Sequence, residues 1–178
     1  MLRNILPLWT LSALLSLSLP AMAQESATET EKTRPNKQEI IDLMIQAGRM
    51  PAQQQMSRID SLWQNLSASK TPRADFLFCL GMAYLGNYKA QRCVASAYEG
   101  GLGIVEDSSE AYTWYALALA NKIPDPSAAQ IIEADKDRVQ ARLLGAYPHP
   151  TEDELEDMVR AQQTRITQYR DDMKKAKK

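Results

Sequence analysis

With 178 residues and 21 basic against 22 acidic side chains, the chain lacks the basic excess that nucleic acid calls for in a partner. One histidine and two cysteines leave little material for a metal centre or a histidine-based triad. Only two phenylalanines and few β-branched runs, beside many Ala, Leu, Gln, Glu and Lys, give the composition of a helix-rich globular protein.

Met1-Leu2-Arg3-Asn4 forms a short positive head, Ile5 to Leu19 an apolar centre, and Pro20-Ala21-Met22-Ala23 a small-residue cut site. This is the order of a secretory signal cleaved after Ala23. An uncleaved membrane anchor is the alternative, but the run is shorter than the roughly 20 residues of a spanning helix. The product, residues 24–178, would hold 155 residues with 20 basic and 22 acidic side chains, enough for one domain with a core. Residues 24–35 carry no large apolar side chain and read as a flexible leader.

Helical signals then follow one another through 36–147. Asn36 with Glu39 has capping-box spacing, and Ile40, Ile41, Met44 and Ile45 recur at helical intervals up to Gly48. Pro51 opens a second helix with Met56, Ile59, Leu62, Trp63 and Leu66 as its stripe. Thr71-Pro72 supplies a capping hydroxyl and a first-position proline for a third, carrying Phe76, Leu77, Leu80, Met82, Ala83 and Tyr84. After the Gly86-Asn87 turn, Tyr88 to Glu99 reads as a returning helix, broken by Gly100-Gly101-Leu102-Gly103. Asp107 with Glu110 caps a fifth. Pro124 and Pro126 precede a sixth at about 127–144, with Ile131, Ile132, Val139 and Leu143 on one side. Thr151 with Glu154 opens a charged C-terminal helix within 148–178, acidic at its start and basic at its end, as the helix dipole favours. Its Val159, Gln162, Ile166, Tyr169 and Met173 form a narrow seam, suited to a partner helix or to packing back on the domain. No strand is predicted.

The stretch from Ala97 to Tyr115 orders Tyr98, Gly101, Gly103, Ile104, Asp107, Ala111, Trp114 and Tyr115 in the pattern Y-x-x-G-x-G, then D-x-x-x-A-x-x-W-Y. It resembles the Sel-1-like repeat, a relative of the tetratricopeptide repeat. The family's leucine-glycine pair is replaced here by Val94-Ala95. A weaker copy upstream keeps Leu80, Gly81 and Tyr84, but Gly86-Asn87 replaces the longer glycine loop and no tryptophan-tyrosine pair follows. The resemblance covers about residues 74–121. It implies an all-α fold, a short α-solenoid of antiparallel helix pairs closed by non-consensus capping helices. The motif has a physical logic: glycines for the sharp turn, Asp107 as cap, Ala111 for close approach, and Trp114 and Tyr115 as filling.

Cys79 and Cys93 stand seven residues before and seven after Gly86, level with each other if the helices fold back there. In an oxidising compartment they should bond, a closure contributing roughly 3 kcal/mol. Two buried free thiols, or redox or metal chemistry, are the other readings; the latter lacks a C-x-x-C motif and further ligands.

No catalytic, cofactor-binding or metal-ligating residue is assigned. His149 lies between two prolines without a nucleophile elbow, and no phosphate-cradling loop is present. The Glu152–Asp157 cluster lacks the spacing of a calcium loop. The aromatics Trp63, Tyr84, Tyr98, Trp114 and Tyr115 suit a core or a peptide surface. Gln91, Arg92, Tyr112 and Thr113 are candidates for a partner surface. The expectation is a periplasmic or secreted protein–protein interaction module, not an enzyme. It would need no cofactor and bind another protein or peptide in assembling an envelope complex, the role the resemblance implies. The alternatives are a secreted enzyme acting on cell-wall material and a secreted factor directed at another cell.

Overall fold

The computed structural model describes residues 33–176, and among these seven α-helices and no strand are found. They are α1 (Lys37–Arg49), α2 (Ala52–Asn65), α3 (Pro72–Tyr84), α4 (Tyr88–Gly100), α5 (Ser108–Leu119), α6 (Pro126–Leu144) and α7 (Glu152–Ala176), with a 3₁₀ turn at Leu66–Ala68. The leader expected at residues 1–23, and 24–32 behind it, lie outside the described residues. No helix among the described residues is long and apolar enough to cross a membrane.

The helices begin where side chains can satisfy free backbone N–H groups. Asn36 accepts from the Glu39 amide at 3.1 Å while the Glu39 carboxylate accepts from the Asn36 amide at 2.7 Å. Thr151 and Glu154 repeat that reciprocal pair before α7, at 3.2 and 2.7 Å, and Asp107 caps α5 through the Glu110 amide at 2.9 Å. Thr71 departs from expectation. Pro72 opens α3, but no side-chain cap precedes it. The Thr71 hydroxyl turns instead to Asp75, which already receives Ser69 Oγ at 2.6 Å and Arg58 at 2.7 Å. The hydroxyl is oriented to donate to this buried, charged carboxylate instead of accepting from the free amides of the first turn.

Two helices form the centre. α3 buries Phe76, Phe78, Cys79, Leu80, Met82, Ala83 and Tyr84, leaving it almost no solvent face. α5 does the same with Ala111, Trp114, Tyr115, Leu117 and Ala118. Around them α3 packs on α4, α4 on α5, and α5 on α6, while α2 lies on α4. α1 packs chiefly on α3 rather than on its neighbour α2. The reason is local: the extended Met50 and Pro51 break the chain direction, and Gln55 Nε2 fixes the break by donating to the Ala47 and Met50 carbonyls at 2.9 and 2.7 Å. Gly81 makes the close α1–α3 approach possible, since a Cβ there would stand 2.7 Å from the Leu43 carbonyl oxygen.

Cys79 and Cys93 are joined by a disulfide between α3 and α4, with Cα atoms 6.1 Å apart. The sulfurs are enclosed in the core, so the bond ties together two faces already packed.

α7 lies across α1, α3 and α5. Of its predicted seam, Gln162, Ile166 and Met173 are buried, and Val159 and Tyr169 pack against the core. Tyr169 stacks on Tyr84 with centroids 5.5 Å apart, and Gln162 Nε2 donates to the Tyr84 hydroxyl at 3.2 Å. Lys37 of α1 closes the contact on Asp172 at 2.7 Å. Two stripe residues, Met56 and Ile131, are exposed; α2 packs chiefly on α4 and α6 chiefly on α5. Residues 33–35, read from composition as the end of a flexible leader, are fastened to the α4–α5 junction: Arg34 pairs with Asp107 and Glu110 at 2.5 and 2.9 Å, and Arg73 donates to the Thr33 carbonyl at 2.8 Å.

Candidate docking cleft

The motif Tyr98–Tyr115 builds one junction. Gly101 ends α4 at φ 64°, and Gly103 follows at φ 74°, both in the left-handed region where a side chain is strained. At Gly103 a Cβ would also strike the Pro72–Arg73 backbone, and the Gly103 carbonyl accepts from Arg73 at 3.1 Å. The loop thereby presses Ile104 into the core. Trp114 and Tyr115 are buried: Trp114 meets the Tyr84 ring edge-on at 5.5 Å, Tyr98 meets Phe76 likewise at 5.5 Å, and Ala111 is fully enclosed beside them. Leu80, Gly81 and Tyr84 of the weaker copy are core residues of α3.

Beside this junction the faces of α2, α4 and α6 enclose an open cleft of about 430 Å³. Its wall is a charged and aromatic network. Arg92 of α4 lies over the Trp63 ring at 4.3 Å, donates to the Trp63 carbonyl at 3.2 Å, and reaches Asp135 of α6 at 2.7 Å. Arg138 bonds the other Asp135 oxygen at 2.8 Å and grips Glu99 through two bonds of 2.9 and 2.8 Å. Arg142 adds a 3.2 Å bond to Glu99, and the Tyr115 hydroxyl donates to Glu99 at 2.9 Å with Ser96 beside it.

The electrostatics follow from that wiring. Burial alone would raise the Glu99 carboxyl, but bonds from Arg138 and Tyr115, with the Arg138 and Arg142 charges, hold it below the usual carboxylate range. Burial pushes the Tyr115 phenol well above its ordinary value. Glu99 is thus held ionised and Tyr115 protonated. These groups hold charge and present hydrogen bonds rather than exchange protons. Arg142 also pairs with Glu106 at 3.7 Å, so the three guanidiniums are matched by the carboxylates of Glu99, Asp135 and Glu106.

The four residues expected to present a partner surface are not gathered into one. Arg92 alone lines this cleft. Gln91 is buried, donating to the Ala83 carbonyl and accepting from Asn121. Thr113 is buried with its hydroxyl returned to the Ser109 carbonyl at 2.9 Å, and Tyr112 packs against the core. Polar residues between two packed helices turn inward when backbone acceptors there need donors. His149 is exposed in the α6–α7 loop, and among the described residues no group of three His, Cys, Asp or Glu could hold a metal ion. Glu99, Asp135, Arg138 and Arg142 were not singled out by the sequence reading. A signal was present, since Arg92, Ser96 and Glu99 on α4, and Asp135, Arg138 and Arg142 on α6, follow the three-and-four spacing of one helix face.

Compared with protein-family models, curated proteins and solved structures, the chain matches none.

Proposed function

We propose that the protein is an exported binding module, a short array of helix pairs of the Sel-1-like kind, that docks another protein in the α2–α4–α6 cleft. The observation that carries this reading is the prearranged set of Trp63, Arg92 and Arg138 in a concave opening. Trp and Arg dominate binding energy at interfaces when held in place beforehand. α7 covers α1, α3 and α5, whereas no other helix among the described residues covers this face. The half-exposed guanidiniums of Arg138 and Arg142 favour a segment bearing an acidic group beside an apolar one that can lie along Trp63. Export is supported by the leader pattern at Met1–Ala23 and by the disulfide, which persists in oxidising compartments. The Tyr98–Tyr115 junction, with its glycine hinge and filled helix interface, supports the repeat reading. The short α3–α4 and α4–α5 connections support the paired arrangement.

A comparison of wild type with Arg138→Ala/Arg142→Ala as baits in envelope extract tests it. Both side chains are about half exposed, so the double variant should fold. The expected result is one partner enriched by wild type and lost by the variant, with the variant still folded by its helical circular dichroism. Equal capture by folded wild type and variant, or no reproducible partner, would overturn the docking role of the cleft.

A further inference from the structure

A second cavity, separate from the docking cleft, opens where α7 crosses the ends of α4 and α5. Its volume is about 280 Å³. One wall is aliphatic, formed by Leu117, Val159 and Ile166, and the polar positions are Gln91, Asn121, Gln163, Arg160 and Arg170. No carboxylate lines it.

Arg170 is the unusual member. Its Nε donates to the Tyr84 carbonyl, the last of α3, at 2.5 Å. Its guanidinium is seated against Gly86, where a Cβ would stand 2.6 Å from Nη2. The head is therefore held by backbone on one edge, while the Nη1 and Nη2 donors meet no acceptor among the described residues. No acidic side chain among them pairs with Arg170, in contrast with Arg138 and Arg142, each of which grips Glu99. Burial opposes its charge with no neighbouring carboxylate to offset it. The Gln163 side-chain amide, about two turns earlier on α7, also has no partner among the described residues and faces the same opening. Asn121 cannot serve as a donor, since it already gives to Gln91 and Leu117 at 2.7 and 2.8 Å.

We propose that this cavity binds a carboxylate carrying a short aliphatic group. The carboxylate would take the paired Nη donors of Arg170 and the Gln163 amide, and the aliphatic part would lie on Leu117, Val159 and Ile166. A planar guanidinium fixed at one edge matches a carboxylate in two parallel hydrogen bonds. A free small acid and the C-terminus of a peptide ending in an aliphatic residue share this chemistry.

The test is titration of isotope-labelled protein, residues 24–178, followed by NMR. Four probes are compared: hexanoate, hexanamide, an acetylated tripeptide ending in leucine with a free carboxyl, and the same tripeptide amidated. Saturable shifts at Asn121, Gln163 and Arg170 are expected for one or both carboxylates, with a dissociation constant of about 1 mM or tighter, and none for the amides. Response to the tripeptide alone assigns a chain terminus as ligand; response to hexanoate alone assigns a free acid. Arg170→Gln should weaken the carboxylate by about tenfold or more, the loss of a charge-assisted bond. If that variant loosens α7, the carboxylate-against-amide comparison on wild type still decides. Amides binding as well as carboxylates, undiminished binding by a folded Arg170→Gln, or no saturable shift by either carboxylate would each overturn the proposal.

Discussion

Replacing Gly103 by alanine should destabilise the fold by about 3 kcal/mol, from three separable contributions. At φ 74° the residue occupies left-handed backbone, which costs a residue with a Cβ about 1–2 kcal/mol. The added carbon would stand 2.5 Å from the Arg73 nitrogen and against the Pro72 carbonyl. Both are backbone atoms opening α3, so relief requires the loop to retreat. Retreat weakens the 3.1 Å bond from Arg73 to the Gly103 carbonyl, a loss of about 1 kcal/mol. For a chain of this size each kcal/mol moves the midpoint by about 2–4 °C, so calorimetry should show a fall of about 6–12 °C. Gly48→Ala is the counterpart: it lies in α1, where an added Cβ would meet nothing within 4 Å, and alanine there should add about 0.5–1 kcal/mol. A Gly103→Ala protein melting within a degree or two of wild type would refute the tight seating of this junction on α3. So would a Gly48→Ala change that does the greater harm.

The double change Cys79→Ala/Cys93→Ala opens a loop spanning a separation of 14 residues and should lower unfolding free energy by about 3 kcal/mol in a urea titration; a loss below about 1 kcal/mol would contradict a stabilising disulfide. Glu99 contributes to pH dependence because its folded-state carboxyl titrates below its unfolded value. Its stabilisation is full above the unfolded pKa of about 4.3 and is lost as pH falls through the folded value. Glu99→Gln should therefore flatten the acid limb of a plot of urea midpoint against pH, and parallel acid limbs would contradict the network. Asp107→Ala removes the α5 cap and the anchor of Arg34, and should lower stability by about 1–2 kcal/mol in the same titration; an unchanged midpoint would speak against the cap.

The helix starts were legible because capping is a matter of three or four consecutive residues: Asn36–Glu39, Asp107–Glu110 and Thr151–Glu154 each announce a start that the structure contains. The cysteine pair was legible because Gly86 gives a local origin from which to count. Burial of Gln91 was not, since it depends on the Ala83 carbonyl of α3 and on Asn121, just past the end of α5, arriving beside it. The packing of α1 on α3 depends likewise on the missing Cβ of Gly81, a spatial fact that periodicity does not carry. The cleft lies between these extremes. Each helix shows its polar stripe, but the pairing of Arg92 with Asp135 and of Glu99 with Arg138 joins positions some forty residues apart. Opposite charges on two helices do not disclose which will meet.

The central claim, that the α2–α4–α6 cleft receives another protein, is tested most directly by site-specific photo-crosslinking in intact cells. Gln64 and Ser67 line the cleft, whereas Gln53 and Glu133 are exposed on α2 and α6 away from its lining. A photoreactive residue at Gln64 or Ser67 should yield one discrete adduct, identifiable by mass spectrometry and abolished by Arg138→Ala/Arg142→Ala. No adduct from the cleft positions, or the same adducts from all four, would contradict the account.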